Sequence, residues 1–265
     1  MKIKEILNRE NMWLLEKATG LTSTELRLAD DDAELSADAE KMFLHMLEQR
    51  ENNIPLQYIL QKWDFMGLDM ICRPGVLIPR FDTEILAAEV ISFLKSAKSR
   101  PLHLDLCTGS GCVGIAIAHY CPTARVSLSD ISPEALALAR ENAELNEVKV
   151  NFIQSDLFSN IDGRFNCISA NPPYIPSGEI DGLSPEVKNE PHSALDGGVD
   201  GLDFYRAIIP QSKNHLKAKG GLFLEIGANQ GKAVSGMLKD HGFKAVAIIK
   251  DLEHRHRVVR GIKDV

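Results

Sequence analysis

At 265 residues, 44% hydrophobic and 25% charged, the chain is long enough to bury one or two cores and has the composition of an ordinary globular protein. A net charge of −7, with acidic residues outnumbering basic ones in the first segment, weighs against stable nucleic-acid binding, which needs a basic face. No apolar run reaches the length of a membrane span, and the start Met1-Lys-Ile-Lys-Glu5 turns polar too soon for a signal peptide. Five cysteines without a CxxC pair or zinc-like spacing suggest free thiols, no metal site and a cytoplasmic location.

Residues 1 to about 52 read as helical, with an apolar stripe from Ile3 through Leu15 and a stop at Gly20. Ser36 is placed to cap a second helix whose buried face is Met42, Phe43, Met46 and Leu47; Asn52, Asn53 and Pro55 end it. From Trp63 to Arg80 the pattern alternates around Phe65, Leu68 and Met70, then runs through Pro74-Gly75 into Val76-Leu77-Ile78, which predicts a β-hairpin connector. Asp82 is placed to cap a helix over Thr83–Lys98.

Beyond this point strands alternate with helices, which implies a mostly parallel sheet. The strand-like runs are Leu102–Cys107, Arg125–Ser129, Val150–Gln154, Phe165–Ala170, Leu222–Ile226, Lys244–Lys250 and Arg257–Gly261. Ser132 followed by Pro133 marks the clearest helix start. Only Asp251–His256 joins the last two strands, too short for a parallel crossover, so they should pair antiparallel. The expected division is an all-α domain over 1–62, a β-hairpin linker over 63–80 and an α/β domain over 81–265 with a seven-stranded sheet. The Gly-, Pro- and Ser-rich stretch Pro176–Gly201 is a long loop of the kind that carries function.

In an open α/β sheet ligands bind outside the carboxyl ends of the strands, and four polar residues fall there. Asn171-Pro172-Pro173-Tyr174 follows the fourth strand. Two prolines supply no backbone N–H, so the segment offers carbonyl acceptors and suits a group that donates hydrogen bonds, such as an –NH2. The first strand runs into Asp105-Leu-Cys107-Thr108-Gly109-Ser110-Gly111, where small residues let the backbone approach a ligand. Gly109, Gly111 and Gly114 also match the dinucleotide fingerprint, which makes NAD a rival ligand. Asp130, after the second strand, is placed for ribose hydroxyls of either ligand. Asp105 separates them: a carboxylate there would repel a pyrophosphate and attract the ammonium of a methionine moiety. Asp156, with Leu157 beside it, ends the third strand where an adenine amino group could be bound. Together the four describe a groove for S-adenosylmethionine.

With these residues the chain resembles the HemK/PrmC-type peptide-chain release factor glutamine N5-methyltransferases. The resemblance runs through Pro55-Leu-Gln-Tyr-Ile59, Val76-Leu-Ile-Pro-Arg80, Asp82-Thr-Glu84, Asp105–Gly111, Asn171–Ile175, Glu190-Pro191, Ala194–Gly198, Asp200–Leu202, Glu225-Ile-Gly227 and Arg257-Val-Val259. The quartet alone is shared with adenine-N6 methyltransferases of nucleic acid; Pro79-Arg80 and Glu190-Pro191 narrow the match. The resemblance implies a class I (Rossmann-like) methyltransferase domain preceded by a small helical domain that helps dock a protein substrate. The implied substrate is the glutamine of the Gly-Gly-Gln loop in class-1 release factors. On this reading Asn171, Pro172 and Tyr174 serve catalysis, and with Pro173 they hold the substrate. The segment Asp105–Gly111 with Asp130, Asp156, Leu157 and Asn171 holds the cofactor. Two positions depart from the family's pattern: Cys107 stands where many relatives have glycine, and His256 where an acidic residue is common.

Overall fold

A computed structural model describes residues 1–96 and 100–265, so the expected helix end at Lys98 lies outside the described residues. Local signals place the first helices. Asn8 caps Arg9–Thr19 by accepting from the Asn11 N–H at 2.8 Å, and Gly20 ends it in the left-handed region at φ 72°. Ser36 caps Ala37–Glu51 by accepting from the Ala39 N–H. Leu14, Leu15, Leu26, Phe43 and Met46 form a core of their own. Met42, expected to face inward, is 40% exposed, because the Ala39–Phe43–Met46 stripe takes the buried side and leaves Met42 one position off it. A short helix, Leu56–Leu60, then leads into the hairpin.

The hairpin pairs β1 (Lys62–Phe65) with β2 (Leu68–Ile71) across Met66-Gly67, both at positive φ. Such a two-residue turn matches the twist of antiparallel strands. Val76–Ile78, expected to extend the hairpin, forms no strand. Side chains take the place of strand partners: the Val76 carbonyl accepts from the buried Tyr58 hydroxyl at 2.8 Å, and the Ile78 N–H donates to Glu190 Oε2 at 3.0 Å. Arg80 pairs with the other oxygen of Glu190. Asp82, expected to cap a helix, instead pairs with Arg257 at 2.8 Å, a charged partner stronger than a backbone N–H. The helix itself runs over Glu84–Lys95 after a 3-10 turn, Phe81–Thr83.

The sheet contains β3 (Leu102–Leu106), β4 (Arg125–Asp130), β5 (Asn151–Gln154), β6 (Phe165–Ala170), β7 (Leu216–Glu225), β8 (Lys244–Lys250) and β9 (His256–Ile262), in the order β5-β4-β3-β6-β7-β9-β8. The strands from β5 to β7 are parallel, while β9 runs antiparallel to β7 and β8 on either side of it. Helices Glu84–Lys95, Cys112–Tyr120 and Pro133–Leu145 cover one face; Asp203–His215 and Gly231–Asp240 cover the other. With both faces covered, the central strands bury polar side chains among the apolar ones, His103, Asp105, Ser129 and Ser169. Gly114 lets its helix pack closely on β4: a Cβ there would stand 1.9 Å from Leu128 Cδ2.

The long loop is a series of short turns, Ser177–Gly182, Pro185–Lys188 and His192–Ala194. It is tied to the helical region by Arg50 with Glu186 at 2.7 Å and by the Asn189 side chain on the Asn53 carbonyl at 2.9 Å. Glu190 ties it to Val76–Arg80. Replacing Glu190 by alanine leaves a buried Ile78 N–H without a partner. It should cost about 1–3 kcal/mol, read as a lower urea midpoint at constant slope; an unchanged midpoint would mean that this tie adds nothing.

Candidate active site

The carboxyl ends of β3, β4 and β6 open into one cleft, with about 970 Å³ of free volume including solvent at its mouth. In open α/β sheets this is where small ligands bind. Its floor is the turn after β3. Cys107, Gly109 and Gly111 there all adopt positive φ, of 53°, 56° and 83°. Glycine takes that conformation without strain and cysteine does not, so Cys107 holds the turn at a cost that glycine would avoid. Gly111 caps Cys112–Tyr120, and a Cβ on it would meet Ile115 at 2.9 Å and Ala139 at 3.0 Å. The Gly109 N–H donates to Asp130 Oδ2 at 2.8 Å and the Ser132 N–H to Oδ1 at 3.0 Å, so the acid ending β4 shapes the turn after β3. Burial raises the Asp130 pKa, and the N–H groups of Ser132, Gly109 and Ile131 oppose that rise.

Asp105 is buried beneath this turn. Its Oδ1 accepts from the Ser169 hydroxyl and its Oδ2 from the Thr108 hydroxyl, both at 2.6 Å. Burial pushes its pKa up to about 6, with the two hydroxyls and the Gly114 N–H opposing. Ser169 gives its one hydrogen to Asp105, so His103, 3.1 Å from the Ser169 oxygen, presents Nε2–H to it. Burial lowers the His103 pKa to about 3, which keeps the ring neutral.

Of the residues expected at the site, Asp105, Cys107, Thr108, Gly109, Ser110, Asp130, Asn171 and Pro173 line the cleft. Gly111 lies behind it as the helix cap. Pro172 and Tyr174 are outside the lining, and so are Asp156, which is exposed, and Leu157, which packs against the core at φ 46°. Tyr174 is half-buried, and burial pushes its phenol up to about 12. The backbone of the quartet is held from behind. Ile175 exchanges hydrogen bonds with Leu195 and Gly197, Gln230 Nε2 donates to the Tyr174 carbonyl at 2.8 Å, and a Cβ on Gly197 would stand 2.7 Å from Tyr174 Cα.

The cleft also contains residues to which the sequence reading gave no cofactor or substrate role. Val76, Ile78 and Pro79 form a wall opposite the turn, Ile131 extends the floor, and Phe204 and Ala194 close one side. Thr83, 2% exposed, accepts from the Asn171 Nδ2–H at 3.3 Å. The motif Asp82-Thr-Glu84 was the available signal for Thr83; its contact with Asn171 spans 88 residues and no local pattern reports it.

Two carboxylates beside a tight turn, with apolar walls, suit a positively charged ligand that bears hydroxyl groups and a flat ring. They oppose a pyrophosphate. The only guanidinium in the lining, that of Arg80, is already paired with Glu190. The residues present therefore fit S-adenosylmethionine and disfavour NAD.

Comparison with known proteins agrees. A "Methyltransferase small domain" family model matches residues 83–183, and a "PrmC N-terminal domain" model matches residues 7–60. The release factor glutamine methyltransferase of Geobacter sulfurreducens is 40% identical over 254 residues, covering 95% of this chain and 88% of its own. That of Thermodesulfovibrio yellowstonii is 38% identical over 266 residues, covering 97% and 95%. A methyltransferase crystal structure from Pyrococcus furiosus superposes with a TM-score of 0.56 over 84% of this chain and 99% of its own at 17% identity, which shows a shared fold. Identity near 40% sustained through both the helical region and the sheet goes beyond shared architecture: the chain belongs to the release factor glutamine methyltransferase family.

Proposed function

We propose that the chain methylates the side-chain amide nitrogen of the glutamine in the Gly-Gly-Gln loop of class-1 release factors, with S-adenosylmethionine as donor. The observation that carries this reading is the state of Asn171. Its Nδ2 is engaged by Thr83, and among the described residues no protein donor is bonded to its Oδ1. The cleft is thus offered an acceptor followed by two residues without N–H groups. A primary amide brings two hydrogens to such a place.

An amide nitrogen is a poor nucleophile because its lone pair is delocalised into the carbonyl. When bound, the cofactor supplies a methyl group on a sulfonium leaving group. The chain's residues do the rest by position. Asn171 Oδ1 and the Pro172 carbonyl accept the two amide hydrogens, which turns the nitrogen toward the methyl carbon and favours its pyramidal geometry. Acceptors fixed in advance stabilise the positive charge that develops on nitrogen more than they stabilise the neutral amide. Alignment of this kind contributes up to roughly 7–11 kcal/mol in well-oriented reactions. The proton leaves after transfer, so no strong base is needed. Tyr174, neutral at physiological pH, packs beside the substrate side chain and excludes water. Asp105 and Asp130 attract the cofactor's ammonium and hold its ribose.

The same reading assigns residues 1–62 to substrate docking, 63–80 to a linker and 81–265 to catalysis. In support, Trp13, Trp63 and Phe81 line a groove between the helical region and the hairpin, beside Arg80 at the cleft. Among the described residues no helix is long and apolar enough to cross a membrane. A substrate that works on the ribosome sets the cytoplasm as the place of action.

Labelled methyl groups should pass to a purified release factor and not to a variant whose Gly-Gly-Gln glutamine is alanine; transfer to both would move the target elsewhere. Asn171→Ala should lower kcat by about 10²–10³, more than it weakens cofactor binding, and equal losses in both would remove it from the proposed role. Asp130→Ala should raise the cofactor Kd by about 10–100-fold, the value of hydrogen bonds to a charged group; calorimetry showing unchanged affinity would take it away from the ribose.

A further inference from the structure

Both tryptophans of the chain, Trp13 and Trp63, stand in one groove together with Phe81. Trp13 comes from helix Arg9–Thr19, Trp63 from β1, and Phe81 from the 3-10 turn that follows Arg80. The ring centres of Trp13 and Trp63 are 5.8 Å apart and those of Trp63 and Phe81 5.9 Å, with planes inclined at 72° and 56°. Trp63 is half-buried in the middle of this row, while Trp13 and Phe81 at its ends are 37% and 61% exposed. Contiguous apolar surface rimmed by polar groups marks an interaction site.

The rim is charged, and its cations are already engaged. Lys17 Nζ donates to the Leu60 carbonyl at 2.8 Å, and Lys62 pairs with Asp69 at 2.7 Å. Glu16 and Asp64, the other carboxylates of the groove, form no ion pair among the described residues. Arg9 and Arg27 line the adjoining groove beyond Trp13 and leave Glu16 unpaired. The one cation that stacks on an aromatic ring among the described residues, Arg140 on Phe152, is elsewhere. Three open ring faces beside two unpaired carboxylates suit a flat cation. A guanidinium stacks on aromatic faces and forks onto a carboxylate, whereas an ammonium is held more strongly by water. A net charge of −7 favours a basic partner in the same sense.

We propose that this aromatic cradle receives an arginine side chain of the release factor while the glutamine loop of the same protein enters the cleft. The inference rests on the reading of the release factor as substrate. The cradle and the cleft are continuous along the chain, since Arg80 lines the cleft and Phe81 lines the groove. Arg80 is anchored by Glu190 and Asp82 by Arg257, so Phe81 between them is fixed relative to the mouth of the cleft. Tryptophan and arginine are also the residues in which binding energy concentrates at protein interfaces.

The test uses the fact that the chain has two tryptophans and both stand in the cradle. Full-length protein labelled with 5-fluorotryptophan gives two fluorine signals that report on this site alone. Unlabelled release factor should shift both, and so should a factor whose Gly-Gly-Gln glutamine is alanine. Phe81→Leu should raise the KM for the release factor by about 2–30-fold with kcat and the cofactor KM unchanged, and Phe81→Tyr should restore the wild-type KM. Glu16→Gln should raise it in the same way. Among release factors with exposed arginines changed to glutamine one at a time, one should show the same loss, and combining it with Phe81→Leu should cost no more than either change alone. Signals that stay in place with a factor that is nonetheless methylated, or losses that add for every arginine, would overturn the proposal and leave the substrate reading intact. Signals that move with enzyme concentration alone would give the cradle to a second copy of the chain and overturn it as well. A factor that shifts both signals through one arginine, yet is never methylated, would sink the substrate reading and leave the cradle standing.

Discussion

The two halves of the site are joined by one carboxylate. Asp105 takes a hydroxyl from Thr108, in the turn that floors the cleft, and another from Ser169, on the strand that delivers Asn171. Neither turn nor strand can shift without leaving a buried oxygen of Asp105 unpaired, a cost of about 1–3 kcal/mol. The register of β3 against β6, which places Leu106 opposite Ala170, is therefore fixed by polar contacts as well as by the ladder. Neutral His103 extends the network downward and completes the hydrogen bonding of Ser169. Asp130 then ties the adjacent strand to the same turn through the Gly109 N–H.

Charge in this region is arranged by burial. Asp105, Asp130 and Glu225 are carboxylates held in low-dielectric surroundings, and burial raises the pKa of each. The two that line the cleft, Asp105 and Asp130, repel each other and become favourable when a cation arrives, since the ligand relieves that repulsion as it binds. Arg80 and Arg257 stand nearby, but each already has a carboxylate partner, Glu190 for one and Asp82 with Asp251 for the other. The cleft thus keeps an acidic character that would repel phosphate.

Much of the architecture was legible because it is written in local signals. Ser36 and Ser132 cap the helices they announce, Gly20 ends one, and the five-residue connector before β9 forces antiparallel pairing. The cleft was legible where residues close strands, with Asp105, Asp130 and Asn171 in its lining. Asp156 ends a strand too, but β5 is the edge strand, two places from β3, and the cleft lining stops short of it. What the sequence could not display are partners distant along the chain. Glu190 reaches Ile78 across 112 residues and Thr83 reaches Asn171 across 88. Val76–Ile78 looks like a strand because it is extended and apolar, yet its backbone is satisfied by side chains and its apolar groups wall the cleft.

The loop between Pro176 and Gly201 would be taken for a mobile lid by its composition alone. Its glycines show otherwise. Gly197 and Gly201 are pressed against the backbone of Tyr174, at distances where a Cβ would stand 2.7 and 2.3 Å from its Cα and carbonyl oxygen. The end of the loop is thus the outer layer of the Asn-Pro-Pro-Tyr segment, packed directly on its backbone. On the proposed reading the acceptors are braced before a substrate enters, which lowers the ordering cost of binding. If that reading holds, a braced platform selects its substrate by whether an amide can be brought to it, and conformational adaptation falls to the incoming protein.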